Sequence, residues 1–411
     1  MTTLSRRGRA LVDSPPLATY ILEHFARVPQ LWDAVDNPGG YVPLCIAENK
    51  RCAEDLVSRL ARYAGQVPAG AMGYDAMVGS LAFRERLAAY LGRAVFGRTF
   101  APQQLAVVAG VGTVLELLFF ALADEGEGVL VPTPSYAGFW ADLETRDALR
   151  VIPVDCPSDD GFALTTARLD AAMDAAPVPV KALLFTTPNN PLGCVYSRAQ
   201  LLEVLAWSEA RGIHVVFDEI YALSVYGETP FVSTATLREQ LGPRVHLAWG
   251  FSKDFGASGL RCGVLVSENE DVLKAVDQLA YWGACSGHTQ HLLAAFVADT
   301  AAVDAYVAQS QAALRDAYVR LEAALRDASI PFVAAQAGFF VICDLRAHLD
   351  APTFEAEQRL WRRMLDEAQV NLTPGHACRI AEPGFFRLCF AAMPDEAVAR
   401  GVRRLGRLLH G

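Results

Sequence analysis

Lysine is scarce in this sequence, which has 36 basic residues of which only Lys50, Lys181, Lys253 and Lys274 are lysines. Basic residues cluster only at residues 6–9, and the net charge is −10. Nucleic acids and anionic membranes bind concentrated positive surfaces, so neither is expected as a partner. No apolar run reaches the roughly 20 residues that span a bilayer, and no signal-peptide segment precedes the first helical pattern. We therefore expect a cytoplasmic protein.

Closely spaced cysteine pairs are also missing. The nine cysteines are scattered, odd in number and never arranged as C-x-x-C. Structural zinc and dithiol redox sites use short, regular spacings. We therefore expect reduced thiols in the core and no metal site, with a redox or metal site as the alternative.

The length and composition predict a large core. The chain has 411 residues, of which 52% are hydrophobic, so that two domains are expected. Apolar runs predict buried strands, and these lie at 105–109, 128–131, 182–185, 213–217, 245–251 and 339–343. Helical spacing predicts helices at 17–35, 81–91, 114–123 and 360–369, one capped by Ser197, and a long one ending near residue 324.

One lysine stands at the end of a predicted strand. Lys253 comes just after the apolar run 245–251, separated from it by one serine, and Arg261 comes eight residues later among small residues. A buried lysine has a lowered pKa and can attack an aldehyde or act as a base, whereas arginine stays charged and can hold a phosphate. A solvated lysine beside a loop is the alternative.

Polar residues end other predicted strands. Asp218 follows the run 213–217, and a buried carboxylate needs a cation or hydrogen-bond donors. Two prolines and a glycine in residues 187–193 fix a turn that aims the Asn190 amide. Residues 110–113 join a strand to an apolar helix, where free N–H groups and the helix dipole meet a phosphate. Glycines at such turns are also common for steric reasons.

Arg387 lies within the apolar run 385–391 and therefore needs an anion. The carboxylate of a substrate would provide one through two parallel hydrogen bonds, and a structural ion pair is the alternative.

His288 and His291 have no third metal ligand nearby in the sequence. Their spacing indicates a helix N-terminus in preference to a metal site.

Several of these motifs together resemble one enzyme family. Residues 252–256 (Ser-Lys-Asp-Phe-Gly) and 259–263 (Gly-Leu-Arg-Cys-Gly) resemble the lysine segment of pyridoxal-phosphate enzymes of the aspartate aminotransferase fold, and especially of 1-aminocyclopropane-1-carboxylate (ACC) synthases. The box 47–49 (Ala-Glu-Asn), the run 288–294 (His-Thr-Gln-His-Leu-Leu-Ala) and the run 382–391 (Glu-Pro-Gly-Phe-Phe-Arg-Leu-Cys-Phe-Ala) also match ACC synthases. The resemblance extends from about residue 17 to residue 391.

The resemblance implies an α/β fold of the aspartate aminotransferase type, pyridoxal-phosphate fold type I. It has a large domain with a mostly parallel seven-stranded sheet between helices, and a small α+β domain. Residues 1–45 would form an N-terminal arm and part of the small domain, 46–295 the large domain, and 296–411 the small C-terminal domain. The family also implies a homodimer whose active sites are shared between subunits.

The cofactor implied by the resemblance is pyridoxal 5'-phosphate. Its implied catalytic residues are Lys253, which carries the cofactor and removes the substrate proton, Tyr221, Asp218 and Tyr136. Tyr136 would stack on the ring, Asn190 and Tyr221 would bond its phenolic oxygen, and Asp218 would face its nitrogen. The implied phosphate contacts are Val111, Gly112, Ser252, Arg261 and, from the partner subunit, the equivalent of Tyr74.

The substrate implied by the resemblance is an amino acid, specifically S-adenosylmethionine. Arg387 would bind the α-carboxylate, and Glu48 and Tyr74 would lie beside the substrate. Lys253 would remove the α-proton, and methylthioadenosine would leave from Cγ as a cyclopropane closes. The expected activity is therefore that of an ACC synthase-like lyase.

The sequence departs from the ACC synthase pattern at Lys50, where glutamine is usual, at Gly250, where the family often has serine, at Trp282 and in the segment 77–78. These departures leave room for a second small-molecule substrate, which would capture the β,γ-unsaturated fragment by γ-replacement or by annulation with a pyridinium such as NAD. An amino acid aminotransferase is the further alternative. The sensor half of a transcription regulator would need a DNA-binding domain, for which the first ~40 residues are too short.

Overall fold

The computed structural model describes residues 3–65 and 67–411. It contains the helices α1 (Arg6–Asp13), α2 (Thr19–Arg27), α3 (Ala53–Ala64), α4 (Leu81–Ala94), α5 (Val111–Leu122), α6 (Phe139–Glu144), α7 (Thr166–Asp174), α8 (Arg198–Arg211), α9 (Phe251–Asp254), α10 (Glu270–Leu279), α11 (Gly287–Ala298), α12 (Thr300–Asp327), α13 (Phe354–Asp366) and α14 (Asp395–His410). It contains the strands β1 (Val42–Pro43), β2 (Leu105–Val108), β3 (Gly128–Thr133), β4 (Arg150–Asp155), β5 (Val180–Thr186), β6 (His214–Asp218), β7 (Val245–Gly250), β8 (Gly263–Ser267), β9 (Phe332–Val333), β10 (Phe340–Asp344), β11 (Val370–Asn371), β12 (Thr373–Pro374) and β13 (Phe385–Cys389).

The central sheet has seven strands in the order β2-β8-β7-β6-β5-β3-β4. Strand β8 runs antiparallel to both of its neighbours, and the pairs β7-β6, β6-β5, β5-β3 and β3-β4 are parallel. The prediction of a mostly parallel seven-stranded sheet is therefore confirmed.

Helices cover both faces of this sheet. On β6, Val215 and Phe217 pack with residues of α4, α8 and α11, whereas Val216 packs on the opposite face with residues of α5 and α10. Because helices cover both faces, the central strands are nearly continuous apolar runs, whereas residues of the edge strand β4 alternate between buried and exposed. Each large side chain buried in this way stabilises the fold by roughly 1.5–3 kcal/mol.

The C-terminal part of the chain forms a smaller antiparallel sheet with the order β12-β13-β10-β9. Side chains of α12, α13 and α14 pack against it. Strand β1 pairs in parallel with β11, so that a segment from the N-terminal part of the chain is joined to this unit. Helix α2 is bound to α13 by ion pairs of Arg27 with Asp366 at 2.6 Å and of Arg362 with Glu23 at 2.8 Å. The domain boundaries at residues 45 and 295 stay predictions.

Helix ends differ from the predicted ones where local chemistry decides. Helix α2 ends at Arg27 and one 3-10 turn follows, because Pro29 lacks an N–H group and restricts the residue before it. The predicted helix to residue 35 is therefore too long. Helix α13 begins at Phe354, six residues before the predicted start, with a cap from Thr353. The cap of α8 by Ser197 is confirmed.

Within residues 3–65 and 67–411, no single helix combines the length and apolar composition needed to cross a membrane. Helices α11 and α12 reach that standard only when they are taken together, and a 90° bend separates them.

A fully buried carboxylate ties α13 to the turns before β13. Glu357 Oε1 accepts a hydrogen bond from the backbone N–H of His376 at 3.0 Å and lies 2.7 Å from the Nδ1 atom of that residue. Glu357 Oε2 accepts one from the N–H of Gly384 at 2.7 Å. Since β13 carries Arg387, this carboxylate supports the strand from which Arg387 projects.

We expect the substitution Glu357→Ala to lower the free energy of unfolding by about 3–5 kcal/mol, because it leaves buried N–H groups without an acceptor. Urea unfolding followed by circular dichroism measures the change. Glu367→Ala is the control, since Glu367 only forms an exposed i,i+4 pair with Arg363 and should change the stability by about 0.5 kcal/mol at most. Equal urea midpoints for the two variants would contradict the structural role of Glu357.

Candidate active site

The carboxyl ends of β5, β6 and β7 open into a cavity of about 280 Å³. Loops that follow parallel strands meet at one edge of a sheet, and this edge is where ligands bind in open α/β folds. All predicted cofactor contacts except Tyr74 line the cavity, namely Val111, Gly112, Tyr136, Asn190, Asp218, Tyr221, Ser252, Lys253 and Arg261. The structure thus brings together residues that are up to 150 positions apart in the sequence.

Lys253 lies in the single helical turn α9 that follows β7. Its Nζ atom donates a hydrogen bond to the carbonyl oxygen of Ala47 at 2.7 Å. Burial lowers the pKa of Lys253, and the positive charge of Arg387 lowers it further. A lowered pKa increases the share of neutral amine, which is the form that acts as a nucleophile or a base.

A second buried carboxylate fixes the turn that carries Lys253. Asp254 accepts hydrogen bonds from the N–H of Leu223 at 3.0 Å, Ser224 Oγ at 2.7 Å and Trp249 Nε1 at 2.9 Å. Leu223 and Ser224 belong to the loop that follows β6 and contains Tyr221. Asp254 therefore joins the lysine turn to the loop after β6, a role that the sequence did not indicate.

Asp218 ends β6 and is 4% exposed. Its Oδ1 atom accepts one hydrogen bond, from the N–H of Ile220 at 3.2 Å. Burial raises the pKa of Asp218 to about 7, although this hydrogen bond and the charge of Lys253 act in the opposite direction. A cation inside the cavity would remove the cost of burying this carboxylate.

Asn190 stands between two other predicted site residues. Its Nδ2 atom lies 3.4 Å from the hydroxyl of Tyr221, and its Oδ1 atom accepts a hydrogen bond from Arg387 Nη1 at 3.0 Å. The ring of Tyr221 packs edge-on against Phe339 and Phe340, with ring centroids 5.4 Å apart in both cases. Packing and hydrogen bonds therefore hold both polar groups in place.

The start of α5 and the guanidinium of Arg261 make one end of the cavity positive. Helix α5 begins at Val111, and its cap residue Gly110 offers no side-chain acceptor. Among the described residues, none accepts hydrogen bonds from the N–H groups of residues 111–113. Arg261 lies beside them, with Nη2 donating to Ala109 O at 3.2 Å. Gly110 has a φ of 99°, and an added Cβ would stand 2.6 Å from Arg261 Nη2, so that only glycine suits this position.

The structure explains why glycine replaces the expected serine at position 250. A Cβ atom on Gly250 would lie 2.8 Å from Val111 Cγ2 and 3.0 Å from the carbonyl oxygen of Cys262. The β-branched side chain of Val111 therefore occupies the space that a serine would need. Ser252 remains at the cavity wall as a hydroxyl near this end.

Arg387 on β13 is 2% exposed and has only neutral partners. Its Nη2 atom donates to Cys45 O and to Thr373 Oγ1, both at 3.0 Å, and its Nε atom has no partner. Within the described part of the chain, no carboxylate lies at ion-pair distance from Arg387. The alternative of a structural ion pair is therefore wrong, and this buried cation has unused donors.

Two predicted site residues remain. Glu48 lies at the edge of the cavity, and Tyr74 lies outside it. Glu48 accepts a hydrogen bond from Ser258 Oγ at 3.2 Å, and Ser258 lines the cavity. Tyr74 does not line the cavity, and it is 95% exposed. Glu48 and Arg387 thus contact residues that line the cavity, through Ser258 and Asn190, whereas Tyr74 does not line it.

Two residues near the site were missed by the sequence analysis. Tyr20 on α2 is 5% exposed; burial raises its pKa and the charge of the nearby Arg387 opposes this. Asp142 on α6 lines the cavity, and burial together with the charge of Glu116 raises its pKa to about 6. Nothing in the local pattern of either helix distinguishes these side chains from ordinary surface or core residues.

The two histidines of the run 288–294 and the nine cysteines are placed by the structure as follows. His288 and His291 lie in the first turns of α11, whose cap Ser286 accepts from the N–H of Thr289. Among the described residues, no group of three potential ligands lies close enough to hold a metal ion. The cysteines are unpaired, and all except Cys194 are buried.

The donor set fits pyridoxal phosphate at three points. The N–H groups at the start of α5, Arg261 and Ser252 suit a phosphate, and a Cβ on Gly112 would meet no protein atom within 4 Å, so that a side chain there would enter the cavity. Asp218 suits a protonated ring nitrogen. Lys253 suits the aldehyde carbon. When bound, this cofactor supplies an electron sink for negative charge on the substrate α-carbon.

Comparison with known proteins agrees with this chemistry. A profile of the family described as aminotransferase class I and II matches residues 42–405. ACC synthase 4 of Oryza sativa subsp. japonica is 36% identical, with 92% of this chain and 84% of that protein covered. The ACC synthase of Malus domestica is 32% identical, with 90% and 83% covered.

Solved structures show the same fold at lower identity. The aspartate aminotransferase of Thermus thermophilus with maleate has a TM-score of 0.83 and 23% identity, and each chain is covered completely, at 100%. A Pyrococcus protein has a TM-score of 0.84 and 20% identity, with 98% of each chain covered. The chain therefore belongs to the aminotransferase class I and II family and is a pyridoxal-phosphate-dependent enzyme with similarity to ACC synthases.

Proposed function

We propose that the enzyme acts on S-adenosylmethionine, removing the α-proton and releasing methylthioadenosine from Cγ. The observation that carries the proposal is the buried Arg387, which forms no ion pair with a carboxylate of the described residues. Its hydrogen bond to Asn190 connects it to the cavity that Lys253 lines. The relatives named as ACC synthases support the choice of amino acid.

The side chains divide the work by charge. Arg387 binds the α-carboxylate through its fixed pair of donors. Lys253 Nζ accepts the α-proton, a task for which its lowered pKa suits it. With pyridoxal phosphate bound, Asp218 would keep a positive charge on the ring nitrogen, and Asn190 and Tyr221 would orient the ring through its oxygen. Glu48 provides a negative charge for the sulfonium group.

The carbon–sulfur bond breaks with both electrons going to sulfur, and methylthioadenosine leaves as a neutral thioether. Closure of Cα on Cγ then gives ACC. The side chains at the cavity are also compatible with capture of the four-carbon fragment by a second substrate, and with transamination. Product analysis distinguishes these three outcomes.

The direct test is incubation of the enzyme with S-adenosylmethionine and pyridoxal phosphate, with and without cell extract, followed by mass spectrometry. We expect methylthioadenosine together with ACC. If methylthioadenosine forms only with extract, together with a new adduct, the enzyme is a two-substrate transferase and not a lyase. If no methylthioadenosine forms under either condition, the proposed substrate is wrong.

We expect Lys253→Ala to reduce the release of methylthioadenosine by roughly 10²–10⁴-fold, because the base is removed. Lys274→Ala is the matched control, since Lys274 lies on α10 and only pairs with Glu270 and Asp271 at the surface. The control should retain full activity. A Lys253→Ala enzyme that stays within a few-fold of the control would exclude Lys253 as the base.

We further propose that the enzyme is a homodimer in which Tyr74 completes the site of the partner subunit. The chain exposes the large apolar side chains of Met72, Tyr74, Tyr281 and Trp282. A cavity of about 690 Å³ continues this surface and is lined by Trp282 and Phe120. Such a large exposed apolar surface is typical of a protein interface.

A hybrid dimer tests the shared site. We expect Tyr74→Ala to weaken activity at limiting cofactor by roughly ten- to hundredfold, because a hydrogen bond to a charged phosphate is lost. Co-expression of Tyr74→Ala with Lys253→Ala should restore about a quarter of the wild-type activity, since half of the dimers then have one intact site. If the mixture is no more active than the two variants alone, the site is not shared through Tyr74.

A further inference from the structure

The carboxylate of Glu48 at the edge of the cavity has an ion pair of its own. Glu48 Oε2 lies 3.2 Å from Lys50 Nζ, while Oε1 accepts the hydrogen bond from Ser258. Burial and Arg387 lower the pKa of Lys253, and the charge of Glu48 opposes this. The carboxylate is therefore close enough to the cavity to act on Lys253, and it is partly neutralised by Lys50.

Lys50 is the only cation that forms an ion pair with Glu48 within residues 3–65 and 67–411. Burial and the charge of Lys50 lower the pKa of His24, and the charge of Glu48 opposes this. The Lys50 side chain is 59% exposed, and the backbone N–H of Lys50 bonds to Ala391 O. Another side chain can therefore replace it without loss of a buried contact.

We propose that Lys50 is a specificity-determining residue that competes with a cationic substrate group for the carboxylate of Glu48. This inference rests on the proposed function, because it needs a substrate with a positive charge at Cγ. A sulfonium that approaches Glu48 must displace Lys50 or share the carboxylate with it. A neutral thioether meets no such competition.

The competition has a consequence for the rate. The sulfonium loses its charge as the carbon–sulfur bond breaks, so an unopposed Glu48 would stabilise the bound substrate more than the transition state. Interactions that favour the ground state in this way improve binding but slow the chemical step. Lys50 weakens this attraction and forms its ion pair with Glu48 again when the charge disappears.

The test measures binding of two unreactive ligands to the holoenzyme by calorimetry. Sinefungin has an ammonium group where S-adenosylmethionine has its sulfonium, and S-adenosylhomocysteine is the neutral thioether. In Lys50→Gln, we expect sinefungin to bind roughly three- to tenfold more tightly because one opposing charge is removed, whereas S-adenosylhomocysteine changes less than about twofold. Lys50→Arg keeps the charge and should behave as the wild type.

Kinetics provide a second readout. With S-adenosylmethionine, Lys50→Gln should lower KM and kcat together, which a change in folding would not do. If both ligands bind but the ratio of their affinities is the same in Lys50→Gln and in the wild type, Lys50 does not compete for Glu48. The proposed function is unaffected by that result. If neither ligand binds to the holoenzyme, the proposed function fails and this inference fails with it.

Discussion

The shared direction of the parallel strands is the constraint on which this structure depends. Strands β5, β6 and β7 are neighbours and run the same way, so the residues that follow them emerge side by side at about 4.8 Å spacing. This places Asn190, Asp218 and Lys253 around one cavity although they are far apart in the sequence. Strand β8 runs the opposite way and therefore begins at the same edge, with Arg261 just before it.

Burial of charged side chains is unfavourable, and hydrogen bonds from fixed donors compensate for it at two buried carboxylates. Asp254 and Glu357 each accept several hydrogen bonds from buried donors, and each supports an element that carries a functional side chain. Arg387 and Asp218 are different, because each keeps unused hydrogen-bonding capacity toward the interior. Asp254 and Glu357 thus hold the site in shape, whereas Arg387 and Asp218 are available to bind ligands.

Much of the fold and of the cofactor site can be predicted from the sequence, because local patterns of residues indicate the strands and the polar residues at their ends. Both faces of the central strands are buried, so that most of them are visible apolar runs, and a polar residue near the end of such a run is conspicuous, as with Asp218 and Lys253. Strands β4 and β8 were not predicted, and the residues of β4 alternate between buried and exposed. Contacts between distant segments have no such signal. The ion pair of Lys50 with Glu48, the approach of Tyr20 to Arg387 and the clash that makes position 250 a glycine depend on packing, and only the structure reveals them.

The most direct test of the central claim is to find which lysine bears the cofactor. The holoenzyme would be reduced with borohydride, digested and mapped by mass spectrometry. The structure predicts a pyridoxyl group on Lys253, the one lysine among the described residues that lines the cavity. A pyridoxyl group on Lys50, Lys181 or Lys274 in place of Lys253, or on none of the four, would contradict the account.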